Sequence, residues 1–197
     1  MYIEAIVLGF LIGKLRRGRL SNFLGMRFKG WYLTIAALVL FLIPYLLRLL
    51  QIEMPMLSIF PFAAMLLCGV VALINLRVPG MKLFLLGLLL NLLIMGVNGF
   101  QMPIDTAAMT ELGYSQFVES IASGEVLNYR PLEGTIGLSL LLAKVHKLPA
   151  WYPLSTVISI GDLLACIGIA WMIQQMMVTY RKGSMLNFSF GSSFGRN

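Results

Sequence analysis

The sequence predicts an all-α integral membrane protein with five transmembrane helices, its N-terminus outside and its C-terminus inside. An extracytoplasmic helical segment is expected between spans four and five. Three observations predict this. The 197 residues are 59% hydrophobic and only 12% charged, with a mean hydropathy of +0.87; a soluble domain carries about 45–50% apolar and 25% charged residues. Five apolar stretches stand out, four of them near or above the roughly 18 residues that cross a bilayer. Of the 15 basic residues in a chain of net charge +7, eleven fall between or after those stretches on one side, against Arg48, Arg130, Lys144 and Lys147 on the other.

The first stretch, about 2–13, is short. A 12-residue helix covers only about 18 Å of a hydrocarbon core about 30 Å thick, so it borrows length from the basic segment after it, whose Lys and Arg snorkel, or it thins the bilayer. A re-entrant segment is the alternative. No basic n-region or Ala-x-Ala site marks MYIEAIVLGFLIGK as a cleaved leader, so it is expected to stay as the first helix. Gly9 and Gly13 form a GxxxG suited to close helix contact.

Spans two to four are expected at about 31–50, 55–76 and 81–100, and the fifth at about 157–180. Trp31 and Tyr32 open the second where an interfacial aromatic belt lies, and Trp151 and Tyr152 precede the fifth. Pro44 and Pro61 predict kinks. Gly161 and Ala165 make a small-xxx-small pair in the fifth span.

Orientation follows from the loops. Lys14, Arg16, Arg17, Arg19, Arg27 and Lys29 lie between spans one and two, Arg77 and Lys82 between three and four, and Arg181, Lys182 and Arg196 after five. All fall on one side, which the positive-inside rule makes cytoplasmic. The cluster at 14–29 is expected to anchor topology and to meet anionic headgroups, each cation contributing about 1 kcal/mol near an anionic surface. Docking of a cytoplasmic protein is the sharper reading of the same loop. Nucleic acid is excluded as a partner, because no recognition motif accompanies the charge.

The opposite side is acidic. Its one sizeable segment, 101–156, begins with DTAAMTELGYSQFVESIASGE, which predicts one or two short amphipathic helices capped by Asp105 or Thr106 and closed near Gly124. A second apolar run within 134–148 predicts a helix lying on the outer surface or packed over the bundle; a sixth span would put Arg181 and Lys182 outside. The tail, 181–197, is rich in Gly, Ser and Phe and is expected to be flexible and cytoplasmic.

Asp162 is the lone acid within the fifth span, in VISIGDLLACIGIAWMIQ. An ionised carboxylate in hydrocarbon costs about 2.5–3.5 kcal/mol on insertion scales, so it is paired, protonated or wet. With the span starting at Val157, Asp162 lies roughly 7–8 Å deep at 1.5 Å per residue. Asn98, Gln101 and Arg48 end neighbouring spans at the same level, Ser159 precedes it, and Asn91 sits nearer the middle of the fourth span. Asp162, Asn98, Arg48, Asn91 and Gln101 therefore form the candidate intramembrane polar cluster. It serves either as interhelical glue or as a site for a cation, proton or small polar solute.

Cys68 and Cys166 read as packing residues, and His146, flanked by Lys144 and Lys147, as a solvated side chain. No GxSxG, HExxH, P-loop or paired-acid motif occurs. The sequence predicts no enzyme, no catalytic residue, no metal and no cofactor. It predicts a structural or interaction protein, an accessory subunit, partnered by the bilayer and by a membrane or cytoplasmic protein; a transporter or channel using the Asp162 cluster is the alternative.

GRLSNF followed by FKGWYL, LNLLIMGVNGFQMPID and VISIGDLLACIGIAWMIQ together resemble a bacterial membrane family known as domain of unknown function 5317. The resemblance covers about 2–177. The family's Asn-Gly and Met-Pro motif falls on Asn98, Gly99, Met102 and Pro103, with Phe100 and Gln101 departing from it. It implies a multi-pass protein of the bacterial cytoplasmic membrane and ties Asn98 to Asp162 as one feature. It implies no activity.

Overall fold

The computed structural model describes residues 1–25, 28–52, 54, 56–133, 137–149, 152 and 155–178. Arg27, Trp151, the start of the expected third span at Pro55, the end of the fifth at Tyr180, and the tail with Arg181, Lys182 and Arg196 lie outside the described residues, as does part of the apolar run within 134–148.

The chain is mostly helical. Five apolar helices make a bundle: α1 (Tyr2–Leu15), α2 (Trp31–Leu49), α3 (Ile59–Ile74), α4 (Met81–Val97) and, after an intervening cap, α8 (Ile160–Val178). Length and composition alone single out α2 and α8, 19 residues each, as able to cross a membrane; α3 and α4 are shorter apolar helices of 16 and 17 residues. α2 is peripheral, with 11% of its apolar window buried, whereas α8 is central, with 44% buried.

Consecutive helices alternate in direction. The N-terminal ends of α1, α3 and α8 meet the C-terminal ends of α2 and α4 at the cap, as bonds from Tyr2 and Asn91 to Asp162, from Ser58 to the Gly99 carbonyl and from Arg48 to the cap backbone show. Lys14, Arg16, Arg17, Arg19 and Lys29 gather at the opposite end. There the Arg19 amide donates to the Met177 carbonyl at 3.0 Å, and the buried Asn75 side chain bonds both the amide and the carbonyl of Lys29.

α8 packs against both α1 and α4, and α3 packs against α2 and α4. The two seams of α8 are built on small residues. A Cβ placed on Gly9 would stand 2.8 Å from the Ala170 carbonyl oxygen, and one on Gly13 2.5 Å from the Met177 sulfur. On the other side Gly87 and Gly161 face each other so closely that a Cβ on Gly161 would strike the Asn91 side-chain oxygen and stand 2.7 Å from the Gly87 carbonyl. Gly80 (φ +83°) opens α4 in the left-handed region that only glycine adopts freely, and its backbone abuts Gly168. Such contact maximises dispersion and is the usual route to helix association in an apolar solvent.

The cap spans the stretch between α4 and α8. Strand β1 (Met102–Ile104) pairs in parallel with β2 (Tyr129–Pro131), and the Ile104–Lys144 bridge extends the ladder on the other edge. Between them run α5 (Thr106–Glu111) and α6 (Ser115–Ala122). Asp105 is the N-cap of α5, its carboxylate accepting from the Ala108 amide at 2.9 Å, and Gly124 lies just past the end of α6 with φ +74°. Ile104, Met109, Ile121 and Val157 form the cap's core. Where a helix on the outer surface or packed over the bundle is expected, a single turn, α7 (Leu138–Leu142), packs against α4 with Leu142 buried. It is cut short because the chain leaves helix at Ala143 (ψ 172°) to enter the ladder at Lys144.

Candidate functional site

The expected fifth span begins at Val157, but the helix begins at Ile160. Val157–Ile158 form an extended strand, β4, antiparallel to β3 (His146–Lys147), and this keeps the backbone extended up to Ser159. Ser159 is then the first-turn cap of α8. Its hydroxyl accepts from the Asp162 amide at 2.9 Å, while its own amide donates to Asp162 Oδ2 at 3.4 Å. This is the reciprocal geometry of a capping box, with Asp in the place usually held by Glu. Asp162 thus sits at the positive end of the α8 dipole, where a carboxylate is favoured, rather than part-way down a span.

Asp162 is 3% exposed, and every element that reaches it brings a donor. From α4, Asn91 Nδ2 donates to Oδ1 at 2.9 Å; from α1, the Tyr2 hydroxyl donates to the same oxygen at 3.1 Å. From the cap, Lys144 Nζ lies 2.8 Å from Oδ2. Asn91 is oriented in turn, its Oδ1 accepting from the Ser159 hydroxyl at 2.9 Å. The carboxylate is therefore neutralised and saturated, as a buried charge must be.

Lys144 is placed by backbone. Its amide donates to the Pro103 carbonyl and its carbonyl accepts from the Asp105 amide, both at 3.0 Å, so the β1 ladder aims the side chain down at α8. The ammonium also stands 5.2 Å from the centre of the Tyr129 ring, within cation–π range. Burial opposes the charge on Lys144, yet the Tyr129 hydroxyl and the Asp162 carboxylate hold its pKa well above the ordinary lysine range. A folded-state value above the unfolded one means that this contribution to stability is complete at neutral pH and is lost as pH rises through the folded value. The unfolding midpoint should stay level from about pH 7 to 9 and fall above about pH 10.4, the unperturbed lysine value, and the fall should shrink in Lys144→Met. A titration of thermal stability checks this; an equal fall in both proteins would contradict it.

Residues 25–174 match the family of unknown function DUF5317. The chain belongs to this family. It is also similar to an uncharacterized protein of Thermotoga maritima, 29% identical over 171 residues that cover 86% of this chain and 88% of that protein. No solved structure matches it significantly. The part of the chain that matches DUF5317 holds Asn91, Lys144, Ser159 and Asp162; Tyr2 lies before it.

Of the polar residues that the sequence groups together in this DUF5317 protein, the structure brings Asp162 and Asn91 into contact and employs the others elsewhere. Arg48 donates to the Gly124 carbonyl at 2.6 Å and to the Glu125 carbonyl, fastening the end of α2 to the cap. Asn98, although buried, turns back on the Ile94 carbonyl at 2.8 Å to close α4. Gln101 donates to the Leu127 carbonyl at 3.2 Å. Tyr2 and Lys144 take their places around Asp162. Sequence carried one overlooked signal, the Ser-x-x-Asp spacing of Ser159 and Asp162; nothing in it pointed to Lys144, whose role depends on the ladder.

Below this cluster a cleft of about 510 Å³ runs into the bundle, walled mainly by α2, α3 and α4 through Ala37, Phe41, Cys68 and Phe84, with Met102, Asn128 and Tyr129 over it. α1 leans on α8 and α2 on α3, and no extended seam joins α1 to α2 among the described residues. His146 is exposed on β3. Among the described residues no group of three or more His, Cys, Asp or Glu could hold a metal.

Proposed function

We propose that this DUF5317 protein is a five-span protein of the bacterial cytoplasmic membrane, N-terminus outside, acting as a non-catalytic interaction or accessory subunit. One observation carries the membrane reading. Each of the five bundle helices turns large apolar side chains outward: Leu11, Leu42, Leu73, Leu93 and Ile167 are between 47% and 58% exposed. Water does not tolerate apolar surface of that extent, whereas acyl chains do. The lateral docking surface of an accessory subunit has the same character. The basic end of the bundle supports a cytoplasmic orientation there, with Lys14, Arg16, Arg17 and Arg19 all exposed.

The membrane arrangement is tested by reporter fusions in a bacterial host. Phosphatase fused after Gly113 should be active and a green fluorescent protein fused at the C-terminus should fluoresce, with the chain retained in membranes after carbonate washing. Release by carbonate, or the opposite pattern of reporters, would overturn it. A transport role is favoured by one observation, that Asp162 and Lys144 line the cleft. Asp162→Asn separates the two: a transporter shows flux in proteoliposomes that the still-folded variant loses, whereas a structural lock shows no flux with either residue and loses stability alone.

A further inference from the structure

We propose that the cleft walled by α2, α3 and α4 beneath the cap binds a neutral, hydroxyl-bearing, single-chain lipid, its chain against the apolar walls and its hydroxyl donated to Asn128 Oδ1. The inference rests on the membrane reading above, since α1 and α2, which share no extended seam among the described residues, then leave that side of the bundle to acyl chains. Its first ground is an orphan acceptor. Asn128 Oδ1 is buried without a hydrogen-bond partner among the described residues, although the residue is fixed in place by the Met102 amide, which donates to its carbonyl at 2.8 Å. A buried unsatisfied acceptor is costly and rare, and this one lines the cleft.

The second ground is the division of the cleft. Most of its polar side chains, Tyr2, Asn91, Asn128, Lys144 and Asp162, lie towards the capped end, and the rest is largely apolar wall from Ala37 to Phe84, broken by the Thr34 hydroxyl and the Cys68 thiol. A volume of about 510 Å³ suits one ligand of modest size. The third ground is charge. Lys144 and Asp162 cancel, and the oxygens of Asp162 are already occupied by Tyr2, Asn91, Lys144 and the Ser159 amide. Nothing is left over to attract an ionic headgroup. What remains is an acceptor in need of a donor, which a hydroxyl satisfies and a carboxylate or an ester does not.

The test uses the full chain in phosphatidylcholine nanodiscs with a monoacylglycerol whose acyl chain carries a diazirine. Photolysis should label α3 and α4 near Cys68 and Phe84, unlabelled monoacylglycerol should compete, and the same probe with both hydroxyls methylated should label at least fivefold less. Asn128→Leu should cut labelling at least fivefold while raising the melting temperature, because an isosteric apolar side chain removes the orphan acceptor. A purely structural Asn128 would leave labelling unchanged. Cys68→Trp fills the wall far from Asn128 and should also abolish labelling, which keeps the test open if the first variant folds poorly. Equal labelling by the methylated probe, or adducts scattered over Leu89 and Leu93 on the outer face, would overturn the site. A chain that does not enter the discs at all removes the membrane reading instead.

Discussion

Lys144→Met should cost the folded protein about 3–5 kcal/mol, the range for leaving one partner of a buried ion pair alone. The methionine fills the lysine's space, so the loss is electrostatic: Asp162 keeps Tyr2, Asn91 and Ser159 but has no cation. Asp162→Asn should cost less, since the Lys144 side chain is 16% exposed against 5% for Asp162 and its ammonium can lean towards water. In the double variant neither charge is stranded, and most of the loss should return. Chemical unfolding of the four proteins in one detergent gives the coupling energy. Costs that simply add would show that the two residues do not act as a pair.

Gly161→Val should be comparably severe, about 3 kcal/mol, the upper part of the range for overpacking. The obstacles are the Gly87 carbonyl and the Asn91 side chain, and neither yields cheaply. α4 would be pushed off α8, and Asn91 would be turned away from Asp162. One added branch therefore strikes the helix seam and the polar cluster together. Gly161→Ala should cost less than the valine and more than Gly113→Ala, where a Cβ meets nothing within 4 Å and the cost is confined to the left-handed φ of +87°, about 1–2 kcal/mol. Thermal unfolding of the three variants ranks them; an order with Gly113 worst would refute the reasoning.

The bundle helices were legible because their apolar runs are long and bounded by glycine, proline and charge. The expected stretch at 31–50 holds α2 (Trp31–Leu49), and the one at 81–100 holds α4 with three residues of turn after it. Gly9 with Gly13, and Gly161 with Ala165, marked the surfaces of close approach, because small residues four apart share a helix face. Asp105 announced the start of α5 by the chemistry of capping. The start of α8 was misplaced by three residues, since Val157 and Ile158 are as apolar as the helix that follows and only the pairing with His146 and Lys147 makes them a strand.

The polar cluster was half legible for a related reason. A buried acid demands partners, and Asn91 was near enough along an apolar helix to be considered. Lys144 looked like any solvated lysine beside a histidine. Its burial follows from a parallel pairing of strands whose register no local pattern encodes, together with the bridge that hangs residue 144 from the edge of β1. Tyr2 opens the first apolar stretch, and no local pattern ties it to an acid 160 residues further on.

The seam between α1 and α8 joins the first helix of the chain to the last one described. At about 5–20 residues per second of synthesis, a ribosome needs roughly 7–30 s to travel from Leu15 to Ile160, and for that interval the glycine face of the opening helix has no companion. The nascent protein must be chaperoned through this wait, or tolerate it, before the closing helix emerges and the ring of contacts around Asp162 snaps shut. Its assembly is thus timed by translation, and a chain broken off before residue 160 leaves its beginning as orphaned as its end.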